Sequence, residues 1–107
     1  CASIAQNHPE INVVNLAGKM SLLESAALMK GASHNHVNDS GPLHIASAMN
    51  AKVTAYFCST VPKFGFGPLS EESFIKEVEG LSCRPCGLHG HKTCPENHFN
   101  CGKNINV

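Results

Sequence analysis

The sequence predicts an α/β fold built on a parallel sheet, and three observations lead to that prediction. Short apolar runs alternate with helical segments, as parallel strands joined by helical crossovers require. The helical segments begin with recognisable start signals. The alternation stops after Gly80, where the chain becomes rich in Cys, His, Gly and Pro. We therefore predict one α/β unit over residues 1–80 and an irregular Cys- and His-rich tail over residues 81–107.

Four short segments are predicted to be the strands. INVVNL at 11–16 is an apolar run closed by a turn at Ala17-Gly18, and it reads as a buried strand. VTAYF at 53–57 and SFIKEV at 73–78 are rich in β-branched and aromatic residues. ASHNHV at 32–37 is assigned by its place in the alternation, although its two histidines are unusual in a buried strand. Those histidines would also fit a segment that faces a cleft.

The first helix is predicted from the segment SLLESAALMKG. Ser21 and Glu24 form a capping box, in which each side chain accepts a hydrogen bond from the other residue's free backbone N–H. The residues that share one helical face are Leu22, Ala26 and Met29. Gly31 is expected to end this helix in the left-handed conformation.

Composition restricts the function. Eight Lys and Arg residues balance eight Asp and Glu residues, so the chain lacks the basic excess of most nucleic-acid-binding proteins. The hydrophobic fraction of 42% is that of a globular protein. No apolar run approaches the roughly 18 residues that a membrane span needs, and no secretory signal is visible. Because the chain also lacks an initiator Met, we expect it to be a fragment of a longer protein.

The stretch VNDSGPLHIASAM at 37–49 has the pattern of an anion site at a helix N-terminus. Pro42 suits the first position of a helix, where its missing N–H costs no hydrogen bond. The free N–H groups there and the positive end of the helix dipole favour a phosphate. Gly41 allows close approach to the backbone, Ser40 adds a hydroxyl donor, and Asp39 can accept from sugar hydroxyls.

The same residues also fit a simpler interpretation. A tight turn followed by a helix from Pro42 to Asn50, with Asp39 or Ser40 as N-cap, is ordinary turn chemistry. His44 lies one turn into that helix, where it is either a structural residue or a ligand contact. Spacing alone leaves both interpretations open.

Three segments carry a resemblance to a known family: NLAGKMSLLESAALMKGA, VNDSGPLHIASAMNAKVTAYFCSTVP and LSCRPCGLHGHKTCPENHFNC. Together they resemble the C-terminal half of glycosyltransferase family 9, the lipopolysaccharide heptosyltransferases, over residues 11–105. The resemblance implies a Rossmann-like parallel sheet with flanking helices, which is the C-terminal half of a GT-B fold. It also implies that this half holds most of an ADP-sugar donor.

Residues are carried over from the family by position. Those that match its donor-binding segments are Leu16, Gly18, Asp39, Ser40, Gly41, Pro42, Leu43 and His44. Lys19 follows the first of these segments and is either a donor-binding residue that reaches a phosphate or an exposed, solvated side chain. The resemblance implies an inverting transfer that needs no metal or cofactor, from the nucleotide-sugar to a glycolipid acceptor. The general base and the acceptor contacts are expected in an N-terminal half outside this chain, so the fragment alone is expected to be inactive. A cytoplasmic location is implied, with peripheral contact at the inner face of the bacterial inner membrane.

Four cysteines in the tail leave further alternatives open. Cys83, Cys86, Cys94 and Cys101 begin with a C-x-x-C pair and are interspersed with histidines. They fit a tetrahedral zinc site, free thiols packed in a compact loop, or disulfides, although a reducing cytoplasm disfavours the last. The alternative functions are accordingly a small zinc-stabilised binding module or an α/β domain that binds another nucleotide.

Overall fold

A computed structural model describes residues 2–107 and contains one three-stranded parallel sheet. The strands are β1 (Asn35–Asn38), β2 (Val53–Phe57) and β3 (Ser73–Glu77), and they lie in the order β1-β2-β3. Both strand pairs are parallel, as the alternation of strands and helices requires. The predicted α/β class with a parallel sheet is confirmed.

The helices of the described chain are between four and ten residues long. They are α1 (Ala2–Asn7), α2 (Leu22–Gly31), α3 (Gly41–Ala48) and α4 (Asn100–Lys103), with a 3-10 turn at Pro62–Phe64. Among residues 2–107, none of them combines the length and apolar character needed to cross a bilayer. The helix α3 is the crossover between β1 and β2, and it matches the helix predicted to begin near Pro42.

Strand register brings the carboxyl ends of β1 and β2 together. Asn35 lies opposite Val53, and Asn38 at the end of β1 lies opposite Tyr56. The residues that follow each strand therefore leave the sheet at the same edge. In open parallel sheets this edge is where ligands bind.

The hydrophobic core lies between α3 and one face of the sheet. Alternate side chains of β2 point toward α3, and Val53 and Phe57 are completely buried there. They meet Leu43 of α3, which is also completely buried, and Ala46, whose small side chain lets the helix approach the sheet. This packing fixes the first turn of α3 relative to the end of β1.

The opposite face of the sheet explains the unusual composition of the segment 32–37. His34 Nε2 is hydrogen-bonded to Thr54 Oγ1 at 2.7 Å, and His36 Nδ1 to the Tyr56 hydroxyl at 2.9 Å. The two imidazole rings lie 4.7 Å apart. Both histidines therefore pair with hydroxyl groups of the central strand, and the strand predicted in this segment is confirmed as β1.

The capping box predicted for α2 is confirmed. The Ser21 N–H donates to Glu24 Oε2 at 2.7 Å, and the Glu24 N–H donates to Ser21 Oγ at 3.2 Å. The hydrogen bond from the Ser21 backbone lowers the pKa of the Glu24 carboxyl. The apolar face of the helix is less buried than predicted, since Met29 packs against the core whereas Leu22 is 69% exposed.

Two predictions in this region are wrong. Residues 11–16 form no strand: they pair with none of β1, β2 and β3, and Val14 is exposed. An apolar run becomes a strand only when a neighbouring strand takes its backbone hydrogen bonds. Gly31 is the last residue of α2 rather than a left-handed residue beyond it, because Ala32 closes the helix in an extended conformation. The turn at Ala17-Gly18 is confirmed, with Gly18 at a φ of 73°.

The segment after Gly80 consists of turns and the short helix α4. Arg84 ties this tail to the sheet. Its guanidinium donates to the carbonyl oxygens of Cys58, Thr60 and Val78 at 2.8, 2.7 and 3.1 Å. It also forms an ion pair with Glu77 at 2.5 Å, and the Arg84 side chain is only 6% exposed.

Candidate functional site

A cavity of about 360 Å³ opens beside the carboxyl ends of β1 and β2. Its walls come from the turn before α3, from the segment after β2 and from the tail. The residues that line it are Asn38, Asp39, Ser40, Gly41, His44, Tyr56, Cys58, Ser59, Thr60, Val61, Phe64, Phe66, Leu88 and His89.

The turn between β1 and α3 leaves backbone donors free. Ser40 is the N-cap of α3, but its hydroxyl donates to Asn38 Oδ1 at 2.7 Å, and no side chain caps the helix. Pro42 has no N–H, and the Leu43 N–H donates to the Ser40 carbonyl at 3.0 Å. The N–H groups of Ser40 and Gly41 have no acceptor within residues 2–107. Two amides at the positive end of the α3 dipole are therefore available beside the cavity.

Asp39 is held by a residue from the segment after β2. The Thr60 hydroxyl donates to Asp39 Oδ2 at 2.5 Å, and Thr60 is 9% exposed. Asp39 is half-buried, and this contact fixes its carboxylate at the cavity wall. Sequence reasoning missed Thr60. The available signal was its place three residues after β2, at the edge where the residues after β1 also leave the sheet.

Aromatic side chains complete the cavity wall. His44 is exposed in α3, and the Phe66 ring stands edge-on to its imidazole with centroids 6.3 Å apart. Tyr56 projects from β2 with its hydroxyl bound to His36. The cavity thus combines a carboxylate and an imidazole with two free amides and apolar ring surfaces, which suits an anionic ligand carrying hydroxyl groups.

The predicted residues of the α3 turn do not all reach this cavity. Asp39, Ser40, Gly41 and His44 line it together. The Leu43 side chain, by contrast, is completely buried in the core, so it stabilises α3 and does not face the cavity.

The remaining predicted residues lie elsewhere. Pro42 is exposed on the first turn of α3 and is not part of the cavity wall. Leu16 and Gly18 line a separate, mainly apolar cavity of about 420 Å³ next to α1. Lys19 is exposed and lines neither cavity. The structure therefore does not join the predicted Leu16–Lys19 segment to the α3 turn in one site.

The tail contributes residues that sequence reasoning did not assign to a site. Leu88 and His89 line the cavity together with residues of the α3 turn. Nothing in the local sequence pattern separates His89 from His91, which lines a different cavity with Cys86, Cys94 and Cys101.

The cysteines of the described chain are free thiols. Cys101 is buried, and Cys58, Cys83, Cys86 and Cys94 are half-buried. Across residues 2–107, no group of three or more His, Cys, Asp or Glu side chains is arranged to hold a metal ion. The zinc alternative therefore lacks a ligand set in this part of the chain.

Backbone contacts distinguish one of these thiols from its neighbours. The Phe99 N–H donates to Cys94 Sγ at 3.3 Å, and this contact, with further backbone N–H groups including that of His98, lowers the pKa of the Cys94 thiol. Burial raises the pKa of the Cys86 and Cys101 thiols. The thiolate is the reactive form of cysteine, so these differences translate into reactivity.

We expect iodoacetamide to alkylate Cys94 first among these three thiols at neutral pH. Its lowered pKa gives it the largest thiolate fraction, so its alkylation rate should rise at a lower pH than the rates at Cys86 and Cys101. Peptide mass spectrometry after timed labelling at several pH values measures the three rates. Faster labelling of the buried Cys101 would contradict this reading of the tail.

The fold and the cavity define the class of this protein: an α/β domain with a cavity at the carboxyl edge of a parallel sheet, in front of a helix N-terminus. The family model for glycosyltransferase family 9 (heptosyltransferase) matches residues 1–99. The chain belongs to this family.

Two curated relatives illustrate the similarity. The chain is 40% identical over 68 residues to lipooligosaccharide heptosyltransferase 2 of Haemophilus influenzae, a match that covers 63% of the chain and 19% of the relative. It is 31% identical over 96 residues to lipooligosaccharide heptosyltransferase 2 of Campylobacter jejuni, covering 89% of the chain and 28% of the relative. The chain thus spans between about a fifth and about a quarter of the length of these relatives. No solved structure matches the chain significantly.

Proposed function

We propose that this chain is the donor-binding part of a glycosyltransferase that transfers a heptose-type sugar from an ADP-sugar to a lipopolysaccharide or lipooligosaccharide core acceptor. Membership of glycosyltransferase family 9 supports the reaction class, and the names of both relatives support the sugar and the acceptor. The predicted site residues Asp39, Ser40, Gly41 and His44 line one cavity of suitable chemistry, which supports the assignment of donor binding.

The observation that carries the proposal is the pair of free amides at Ser40 and Gly41. A diphosphate in the cavity would accept from both N–H groups and would lie at the positive end of the α3 dipole. A Cβ built on Gly41 would meet no atom within 4 Å, so the space beside it is open to a ligand. Contacts beyond the chain neighbours do not require glycine here, and ligand access is a reason for it in addition to the limit that Pro42 sets on the residue before it.

Asp39 is proposed to bind the sugar. The Thr60 hydroxyl occupies its Oδ2, so Oδ1 is left to accept from a sugar hydroxyl at the cavity wall. A negative carboxylate would repel the diphosphate, whereas the amides of the same turn attract it. These opposite preferences orient the donor, with its phosphates toward α3 and its sugar toward Asp39.

The proposed chemistry is an inverting displacement at the anomeric carbon. An acceptor hydroxyl, deprotonated by a base that we place outside this chain, attacks that carbon while the bond to the nucleoside diphosphate breaks. Negative charge grows on the departing phosphate oxygen in the transition state. The fixed amides of Ser40 and Gly41 would stabilise that charge without having to reorient. The acceptor is a membrane glycolipid, so we place the reaction at the cytoplasmic face of the inner membrane.

Titration with nucleotides tests the proposed donor. Calorimetry on the protein expressed from its full reading frame is expected to give a Kd for ADP at least about tenfold below those for UDP and GDP, a difference of about 1.4 kcal/mol. Equal affinity for the three nucleotides would remove ADP-sugar as the donor. Absence of any nucleotide binding would contradict the proposed site itself.

A further inference from the structure

We propose that Leu88 and His89 of the tail form a second wall of the donor cavity and that His89 contacts the diphosphate of the bound donor. This inference rests on the function proposed above. It adds a binding residue to those of the α3 turn. That residue comes from the irregular, cysteine-rich tail.

Contacts at Ser59 fix this part of the tail. The Cys86 N–H donates to the Ser59 carbonyl at 2.8 Å. At the other end of the same turn, a Cβ built on Gly90 would lie 2.5 Å from Ser59 Oγ, so the Gly90 backbone lies directly against that side chain. Because both ends of the turn contact one residue, the segment Gly87–His89 arches over Ser59, which itself lines the cavity.

Glycines at both ends of the arch make this path possible. Gly87 and Gly90 have φ values of 69° and 76°, a conformation that other residues adopt at a cost. A side chain at Gly90 would in addition displace the Ser59 hydroxyl. Arg84 anchors the start of the segment through its hydrogen bonds to the carbonyl oxygens of Cys58 and Thr60. The tail is thus attached to the stretch of chain that holds Asp39.

His89 is the polar side chain that this arch brings to the cavity. It is exposed and lines the cavity that Asp39, Gly41 and His44 also line. Within residues 2–107, the histidine rings that form hydrogen bonds are those of His8, His34, His36 and His98, so an imidazole N–H of His89 can donate to a ligand. A diphosphate held by the amides of the α3 turn would have oxygens directed away from that turn, toward the tail.

Substitution of His89 tests the inference. His89→Ala is expected to raise the Kd for ADP about five- to tenfold while leaving the Kd for adenosine unchanged, because the lost contact is to phosphate. His89→Gln, which keeps an N–H donor, is expected to recover most of the affinity. His91→Ala is the matched control: it removes an exposed histidine of the same tail that lines another cavity, and it should bind ADP as the unchanged protein does.

The possible outcomes separate the two proposals. Unchanged ADP affinity in His89→Ala, or an equal loss in His91→Ala, would overturn the role of His89 while leaving the proposed function intact. Loss of adenosine and ADP binding to the same extent would also overturn it, because the effect would not lie at the phosphates. A protein that binds no ADP before any substitution would overturn both proposals.

Discussion

Arg84→Met is expected to lower the free energy of unfolding by about 3 kcal/mol. The substitution removes a buried guanidinium that donates to three carbonyl oxygens and pairs with Glu77. Loss of one partner of a buried ion pair costs about 3–5 kcal/mol, because the other charge stays desolvated and unpaired. The lower end of this energy range applies to Arg84, since the Glu77 side chain is 23% exposed and keeps some contact with water.

Urea denaturation of the protein expressed from its full reading frame measures this loss, and hydrogen exchange locates it. Protection should fall in residues 84–91 and at the carboxyl end of β2, which the guanidinium joins. Lys103→Met provides the control, because it removes an exposed cation from the same tail and should change stability by less than about 0.5 kcal/mol. Arg84→Lys should lie between the two, since an ammonium keeps the charge but lacks the planar set of donors. Equal stability of Arg84→Met and Lys103→Met would mean that the hydrogen bonds of Arg84 and its ion pair with Glu77 do not form.

Gly41→Val is expected to weaken ADP binding by about 10- to 100-fold in a protein that still folds. Its side chain would occupy open space next to the free amides and would keep phosphate oxygens from reaching them. A hydrogen bond to a charged group contributes about 1.5–3 kcal/mol, which corresponds to this range of affinities. Gly41 has no positive φ, and apart from its chain neighbours no atom lies within 4 Å of a built Cβ, so the cost in stability is limited to the crowding of the new side chain against the Pro42 ring.

Gly31→Val is the matched control for this prediction. Gly31 is also a helix-terminal glycine with no atom within 4 Å of a built Cβ, and it lies outside the cavity. Thermal denaturation should show that both variants are folded at the temperature of the binding experiment, and calorimetry at that temperature should show a loss of ADP binding in Gly41→Val alone. Equal binding by the two variants would mean that the α3 turn does not receive the phosphates.

Local signals in the sequence predicted the elements that local interactions stabilise. The capping box of Ser21 and Glu24 requires only residues three apart, and it predicted the start of α2 correctly. The β-branched and aromatic run 53–57 predicted β2 because those residues suit a buried central strand. Residues 11–16 were predicted wrongly by the same reasoning. Their composition suits a strand, but a strand also depends on a neighbour that composition does not reveal.

The features of the site that could not be predicted from the sequence are those formed by contacts between residues far apart in the chain. Thr60 holds Asp39 from 21 residues away, and Arg84 reaches Cys58 from 26 residues away. The predicted turn 39–41 lies in the cavity because a turn and the helix that follows it are local features. The histidine that lines the cavity from the tail depends on the docking of that tail at Ser59, which has no signature in the spacing of Cys and His residues.

A structure of the protein expressed from its full reading frame with ADP bound is the most direct test of the donor site. Phosphate oxygens are expected within about 3.2 Å of the backbone nitrogens of Ser40 and Gly41, with the nucleotide in the cavity beside His44. A nucleotide bound elsewhere, with the Ser40 and Gly41 amides in contact with water or with another part of the protein, would contradict the account.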